Sequence, residues 1–117
     1  MNQIHYEIIK SGVPQWNQWR SENPDIKPDL REANLVWTNL SRANLIGANL
    51  RKANLIGSDL RKANLIGTYL GKANLERSNL EGAYLRGSNL EESIFGNTTY
   101  GEGVSISKEP LQIIGLK

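Results

Sequence analysis

Leucine recurs at every fifth residue along most of this chain. Thirteen leucines run from Leu30 to Leu90 without a gap, and Phe95 holds the next position. Alanine, serine or threonine lies two positions before each of them from Leu35 onward, and Asn or Asp immediately precedes most of the leucines. The pattern covers residues 28–97, so this stretch determines the architecture that we predict.

A period of five residues fits neither an α-helix nor a straight strand. On a helix at 100° per residue, successive leucines would be about 140° apart and would form no apolar face. On a strand, an odd spacing sends successive leucines to opposite faces. A backbone that turns by about 90° after each unit closes a square coil in four units, points every leucine inward and stacks coils about 4.8 Å apart. The small residue two places earlier also points inward, where space is limited.

The repeat resembles that of a known family. The run RANLIGANLRKANLIGSDLRKANL closely follows A(N/D)LXX, the consensus of the pentapeptide-repeat family. The resemblance covers 14 pentads, residues 28–97. It implies an all-β fold, a right-handed quadrilateral parallel β-helix of about 3.5 coils with Leu or Phe on its axis. The periodicity alone does not fix the handedness.

Residues 1–27 have a different pattern and are assigned to an N-terminal helical cap and lead-in. Helical spacing predicts one short helix near residues 3–10 and a second near 14–21, with Pro14 in the first turn of the second. Trp16 and Trp19 share a face of that helix, and we expect them, with Val13, to close the open end of the solenoid. An exposed aromatic binding site is the alternative. His5 is assigned to the surface or to this cap.

Residues 98–117 leave the repeat and form a C-terminal tail or irregular cap. The segment GNTTYGEGVSISKEP is typical of a loop, and LQIIGL is a short apolar run. Three placements remain open: an irregular strand over the last coil, packing along a side of the solenoid, or an interface with a second copy.

Composition gives no indication of catalysis. The chain has 117 residues, which fits one domain, and its net charge of +2 is small. It has one histidine and no cysteine, and the lack of cysteine excludes disulfides and thiolate metal sites. It lacks nucleotide-binding and metalloprotease motifs, and no histidine lies near the inward Ser and Thr residues. We expect no enzyme activity, metal, cofactor or small-molecule substrate. The chain has no apolar run long enough for a membrane span and no signal peptide, which favours the cytoplasm.

Equivalent residues four pentads apart should stack into four outer faces, two of them basic and two apolar in the N-terminal half. The charge balance is +4 over residues 28–72 (seven basic, three acidic) and −2 over residues 73–97 (two basic, four acidic). The solenoid should therefore have a positive and a negative end. The basic residues considered as anion or nucleic-acid contacts are Arg42, Arg51, Lys52, Arg61, Lys62 and Lys72.

Four interpretations of this surface compete. The Ile-Gly pairs can be the two central residues of type II turns, since Gly at the second central position allows positive φ. They can also be part of an apolar contact with a partner protein. The basic rows can hold nucleic acid, although they lack interleaved aromatic residues. The charge polarity can drive self-association. Asn before leucine is assigned to local turn hydrogen bonds rather than to a ligand. The candidate partner contacts are Val36, Trp37, Ile46, Ile56 and Ile66.

A non-catalytic, rigid scaffold that binds an unidentified protein is the function that these observations favour. The first alternative is a self-assembling structural element. Nucleic-acid binding is a further alternative. The family resemblance also raises inhibition of type II topoisomerases by DNA mimicry. Mimicry requires dense negative charge along the rod, which this sequence lacks, so its charge disfavours that activity.

Overall fold

The structure is a computed structural model that describes residues 1–100 and the backbone of residues 105 and 106. Its elements in chain order are α1 (Gln3–Lys10), α2 (Val13–Glu22), β1 (Tyr84–Leu85) and β2 (Ser105–Ile106). Both helices lie within two residues of their predicted bounds. Asn2 caps α1 by accepting from the N–H groups of Ile4 and His5, and Pro14 begins α2.

Residues 28–100 wind into a square coil that repeats after every four pentads. Parallel bridges join equivalent residues of adjacent coils, from Asp29 with Asn49 to Asn79 with Thr99. Each side of a coil is so short that most of the pairing consists of single bridges rather than named strands. The predicted quadrilateral parallel β-helix is confirmed in this respect. The pairing continues past the expected boundary at residue 97, because Thr98 and Thr99 repeat the hydrogen bonds of a further unit.

The leucines form a single central column. From Leu30 to Leu85 none is more than 1% exposed, and Leu90 and Phe95 are also buried. The small residues between them are buried as well, apart from Thr38 and Ser88, which are half-buried. A coil this narrow has room for one aliphatic and one small side chain on each side, which explains the spacing in the sequence.

Where Asp or Asn precedes the leucine, every backbone N–H of an inner pentad has a specific acceptor, as the pentad Leu60–Asn64 shows. Two N–H groups donate to the following coil and one to the preceding coil. The fourth N–H donates to the carbonyl that closes the corner turn. The fifth N–H donates to the side chain of the Asp or Asn that precedes the leucine. The five bonds run from Leu60 to Asn79 O (2.8 Å), Arg61 to Asp59 Oδ1 (3.1 Å), Lys62 to Glu81 O (2.9 Å), Ala63 to Leu60 O (3.0 Å) and Asn64 to Ala43 O (2.9 Å).

Each corner is a four-residue turn with positive φ at its third residue, as in a type II turn. Gly47, Gly57 and Gly67 occupy this position with φ of 67–68°. The turn interpretation of these glycines is therefore confirmed. Lysine, arginine and even tryptophan occupy the same position elsewhere, with φ of 54° at Trp37.

The two helices cover the first coil and supply hydrogen-bond partners to its open edge. In later coils the backbone N–H and C=O groups at this edge form hydrogen bonds with the preceding coil, but no coil precedes the first one. Side chains of His5, Tyr6, Trp16, Asn17 and Arg20 take that place. The bonds are Asp29 N–H to His5 Nδ1 (3.0 Å), Tyr6 Oη to Asn34 O (3.1 Å), Trp16 Nε1 to Asn44 O (2.7 Å), Asn44 N–H to Asn17 Oδ1 (2.7 Å) and Arg20 Nη2 to Ile46 O (2.6 Å).

At the other end, β2 pairs in parallel with β1. Tyr84 lies opposite Ser105 and Leu85 opposite Ile106, one position further along the chain than the bridges of the earlier coils would place them. The register of β2 on β1 is thus offset by one residue from the pairing of the earlier coils. Residues 101–104 and 107–117 lie outside the described residues, as do the predictions for that part of the tail.

Truncation of a central leucine should be costly. Leu60 is fully buried, and Leu60→Ala leaves a cavity that the neighbouring coils cannot collapse into without breaking their bridges. We expect the free energy of unfolding in urea to fall by about 2–5 kcal/mol. A loss below about 1 kcal/mol would contradict a close-packed column.

Two glycines provide a matched test of the corner conformation. Gly67 has φ of 68° and open space where a Cβ would lie, whereas Gly71 has no positive φ and its Cβ would make ordinary contacts. Gly67→Ala should therefore destabilise by about 1–2 kcal/mol. Gly71→Ala should be neutral or stabilise by up to about 1 kcal/mol. Thermal melts of both variants measure the difference, and equal effects would contradict the turn assignment.

Stability should fall as His5 becomes protonated. Burial lowers the pKa of His5 below 6.5, while Asp29 opposes the shift and Arg20 adds to it. The unfolded chain therefore binds the proton first, and the stabilisation present above pH 6.5 is lost as pH falls through the folded-state pKa. Urea unfolding between about pH 7.5 and 5.5, where carboxyl groups stay ionised, should show this loss. His5→Gln should reduce it, and an equal loss in both proteins would refute the role of His5.

Candidate functional site

The outer residue pairs of the repeat lie at four corners of the square, not on its flat faces. Hydrogen bonds such as Lys52 N–H to Gly71 O (2.9 Å) stack equivalent pairs in adjacent coils. We name each corner by one of its residues. The Arg51 corner contains Arg31, Glu32, Arg51, Lys52, Gly71, Lys72, Glu91 and Glu92. The Trp37 corner contains Val36, Trp37, Ile56, Gly57, Glu76, Arg77, Gly96 and Asn97. The Arg61 corner contains Ser41, Arg42, Arg61, Lys62, Glu81 and Gly82. The Ile66 corner contains Ile46, Gly47, Ile66, Gly67, Arg86 and Gly87.

The five candidate partner contacts are divided between two diagonally opposite corners. Trp37, Val36 and Ile56 share the Trp37 corner, whereas Ile46 and Ile66 stack on the Ile66 corner. The two isoleucines are 40% and 38% exposed, respectively. One flat partner surface cannot contact both corners, so the structure separates the predicted residues into two candidate sites.

Trp37 is the most exposed large hydrophobic residue in the described part of the repeat, at 67%. Its indole lies over the backbone of Gly57 in the next coil, where a Cβ at residue 57 would overlap the ring. Its backbone N–H donates to Ile56 O (2.8 Å). The ring is therefore held flat on the corner, with Val36 and Ile56 half-buried beside it.

The basic residues are less available than their number indicates. Arg61 binds Asp59 through Nε (2.9 Å) and Nη2 (2.7 Å), and Lys72 lies 3.8 Å from Glu92. The Arg61 pair lowers the pKa of the Asp59 carboxyl through side-chain hydrogen bonding. Asp29 binds Arg31 in the same way, and its pKa falls to about 2. The pattern of the repeat did not predict these ion pairs, although the tripeptide Asp-Leu-Arg occurs at both places.

Shallow grooves follow the two basic corners. The groove on the Arg61 corner has a volume of about 600 Å³ and includes Arg42, Lys62 and Glu81. The groove on the Arg51 corner has a volume of about 420 Å³ and brings Arg51, Lys52 and Lys72 close to Glu91 and Glu92. Each groove joins a basic end to an acidic one, which does not match the uniform negative charge of a nucleic-acid backbone.

The predicted cap residues lie under the first coil. Trp16 is fully buried, and Val13 and Trp19 are partly buried against the core. The rings of Trp16 and Trp19 are 5.2 Å apart, and His5 lies 4.9 Å from Trp19. This geometry agrees better with end closure than with an exposed aromatic binding site.

The described residues show no arrangement for nucleophilic or metal chemistry. The inward hydroxyls of Thr68 and Ser78 donate to the carbonyls of Leu65 (2.8 Å) and Leu75 (2.7 Å). Ser58 is the one buried hydroxyl in this part of the chain without a hydrogen-bond partner, and no histidine lies near it to activate it. Within residues 1–100, no three His, Cys, Asp or Glu side chains are grouped closely enough to hold a metal ion. No helix in the same range has the length and apolarity of a membrane span.

Several solved structures are similar to this one. A pentapeptide repeat protein from the thylakoid lumen of Arabidopsis thaliana matches with a TM-score of 0.60 and 22% identity. The match covers 74% of this chain and 63% of that protein, so this chain spans less than two thirds of its length. A pentapeptide repeat protein from the cyanobacterium Cyanothece 51142 is 36% identical over 70% of this chain and 67% of its own, with a TM-score of 0.28.

The sequence comparisons identify one family. No curated protein matches the chain significantly. The family profile described as pentapeptide repeats matches residues 29–65 and 58–97, with 8 copies of its unit. The two matched ranges together cover more than half of the chain and coincide with the square coil. The chain therefore belongs to the pentapeptide repeat family.

Proposed function

We propose that this protein is a non-catalytic, rigid rod that presents the Trp37 corner to a protein partner. Pentapeptide repeat proteins are generally non-catalytic and form right-handed β-helices. We infer the same hand here, with about 3.5 coils in residues 28–97. Such a rod holds side chains at fixed spacing, which suits recognition rather than turnover.

The observation that carries the proposal is the exposure of Trp37. Its side chain is 67% exposed, although a ring of this size usually buries most of its surface. The corner does not require tryptophan, because glycine, lysine and arginine hold the same positive-φ position in other pentads. An exposed aromatic ring that packs on the neighbouring coil is more readily explained by binding.

The surroundings of Trp37 fit a protein partner. Tryptophan is the residue type most enriched at binding hot spots, and a ring already fixed on Gly57 loses little conformational entropy when a partner covers it. Val36 and Ile56 extend the apolar contact, while Glu76 and Arg77 on the same corner provide a polar rim.

Nucleic-acid binding and DNA mimicry have weaker support. The carboxylates of Asp29 and Asp59 pair with Arg31 and Arg61, so they neutralise part of the basic surface. The C-terminal end of the rod, residues 73–97, has more acidic than basic residues, whereas the N-terminal end is basic. Neither charge covers enough of the surface to bind or to imitate a phosphate backbone.

Trp37→Gly should separate binding from folding. Glycine relieves about 1–2 kcal/mol of backbone strain, while lost ring packing and glycine's own flexibility act the other way. We therefore expect stability within about 1 kcal/mol of the wild type. Proteins captured from a lysate by the wild type should be lost with this variant, and the recovered partner should bind it at least about tenfold more weakly.

Arg42→Gly is the matched control, because Arg42 has φ of 62° at the adjacent Arg61 corner. It makes the same backbone change and should retain the partner with unchanged affinity. Equal capture by the wild type and by Trp37→Gly, with both proteins folded, would contradict the proposal.

A further inference from the structure

Two neighbouring residues depart from the repeat without a reason in the fold. Tyr69 stacks between Asn49 and Asn89, whose side chains accept the N–H groups of Arg51 (3.2 Å) and Glu91 (2.9 Å). A tyrosine ring cannot make this turn hydrogen bond. Gly71 follows two residues later and needs no glycine, since its φ is not positive and a Cβ would meet only ordinary contacts.

These departures lie on the flat face between the Ile66 and Arg51 corners. We call it the Tyr69 face, and its outward residues are Asp29, Asn49, Tyr69 and Asn89. Tyr69 is 41% exposed and Ile66, at the adjoining corner, 38%. Gly67 and Gly71 flank Tyr69 along the chain and leave the backbone of this row accessible. The row that contains Ile66, Tyr69 and the two glycines is thus apolar and has an accessible backbone. Such a row is a suitable centre for a contact with another protein.

The charges at the edge of this face change sign across that row. On the Arg51 corner, Arg51 and Lys52 lie one coil before Gly71, and Glu91 and Glu92 lie one coil after it. The hydrogen bonds from Lys52 N–H to Gly71 O and from Lys72 N–H to Glu91 O, both 2.9 Å, place these coils directly above one another. Lys72, in the central row, already lies 3.8 Å from Glu92 of its own chain.

This arrangement of charges is complementary to that of a second copy of the chain whose rod axis points in the opposite direction. A twofold axis through the row of Tyr69 places Arg51 and Lys52 of one copy opposite Glu91 and Glu92 of the other, and the reverse. The same axis brings Ile66 and Tyr69 against the identical residues of the second copy. We propose that the Tyr69 face is the contact of an antiparallel homodimer.

The size of the face predicts a weak dimer. Four coils at about 4.8 Å and a width of about 20 Å give about 400 Å² per copy, or about 800 Å² in total. This total lies below that of stable complexes, so electrostatic attraction should make a large contribution and salt should weaken it. The Trp37 corner lies on the far side of the rod, so the dimer leaves both copies of it exposed.

Sedimentation of the purified full-length chain tests the dimer. At about 1 mM protein and about 20 mM salt, the average mass should rise above the monomer's 13.1 kDa towards twice that value. At about 500 mM salt it should return towards the monomer. A wild type that stays monomeric in the low-salt sample would overturn the proposal.

Charge exchange identifies the surface. Arg51→Glu with Lys52→Glu should be monomeric, and so should Glu91→Lys with Glu92→Lys, because each homodimer then opposes like charges. Their equimolar mixture should restore a dimer, since residues 51 and 52 of each copy again face residues 91 and 92 of opposite charge. Arg42→Glu with Lys62→Glu, on the Arg61 corner, is the control and should dimerise as the wild type does. A mixture of folded variants that remains monomeric would place the contact elsewhere.

Tyr69→Asn tests the apolar row separately. This change restores the turn hydrogen bond of the repeat, so the melting temperature should stay equal or rise. The dimer should dissociate at least about tenfold more readily. Full dimerisation of this variant would show that the Tyr69 face is not the interface.

Discussion

The structure depends on the pairing of the backbone N–H groups in the stacked pentads. An unpaired buried N–H costs about 1–3 kcal/mol, and a coil this narrow has little space for water inside. The corner turn, the Asp or Asn acceptor and the bonds to two neighbouring coils together satisfy all five groups wherever Asp or Asn precedes the leucine. A register of four pentads per coil follows from this pairing, and the leucine column, the corners and their outer residues follow from the register.

The first coil needs partners from outside the repeat, which gives the N-terminal helices their role. His5, Asn17 and Arg20 bind backbone groups that a preceding coil would otherwise bind. A β-helix with an open edge would offer these groups to any extended chain, so the helices also protect the rod from unwanted strand pairing. Their polar side chains matter here as much as the buried Trp16.

The sequence predicted the architecture well because a period of five fits neither a helix nor a straight strand and requires a regular turn after each unit. Leu60 and its equivalents, the paired helices and the glycine turns could all be assigned from spacing. The side-chain contacts between coils, and between the helices and the first coil, could not be assigned from spacing. The position of Trp37 over Gly57 depends on one rotamer that reaches from one coil to the next, and the bond from Asp29 to His5 depends on how the helices dock. Tyr69 was overlooked because an isolated aromatic residue in an Asn position has no meaning until its neighbours on the face are known.

The four-pentad register also constrains how such a chain can lengthen during evolution. Insertion of a single pentad would preserve the leucine column and the hydrogen-bond scheme. It would also rotate every later outer residue by a quarter turn relative to the earlier ones, so that Glu91 and Glu92 would no longer lie in line with Arg51. Duplication of four pentads keeps that alignment. Selection on the surface should therefore favour growth by whole coils, even though the core tolerates smaller steps.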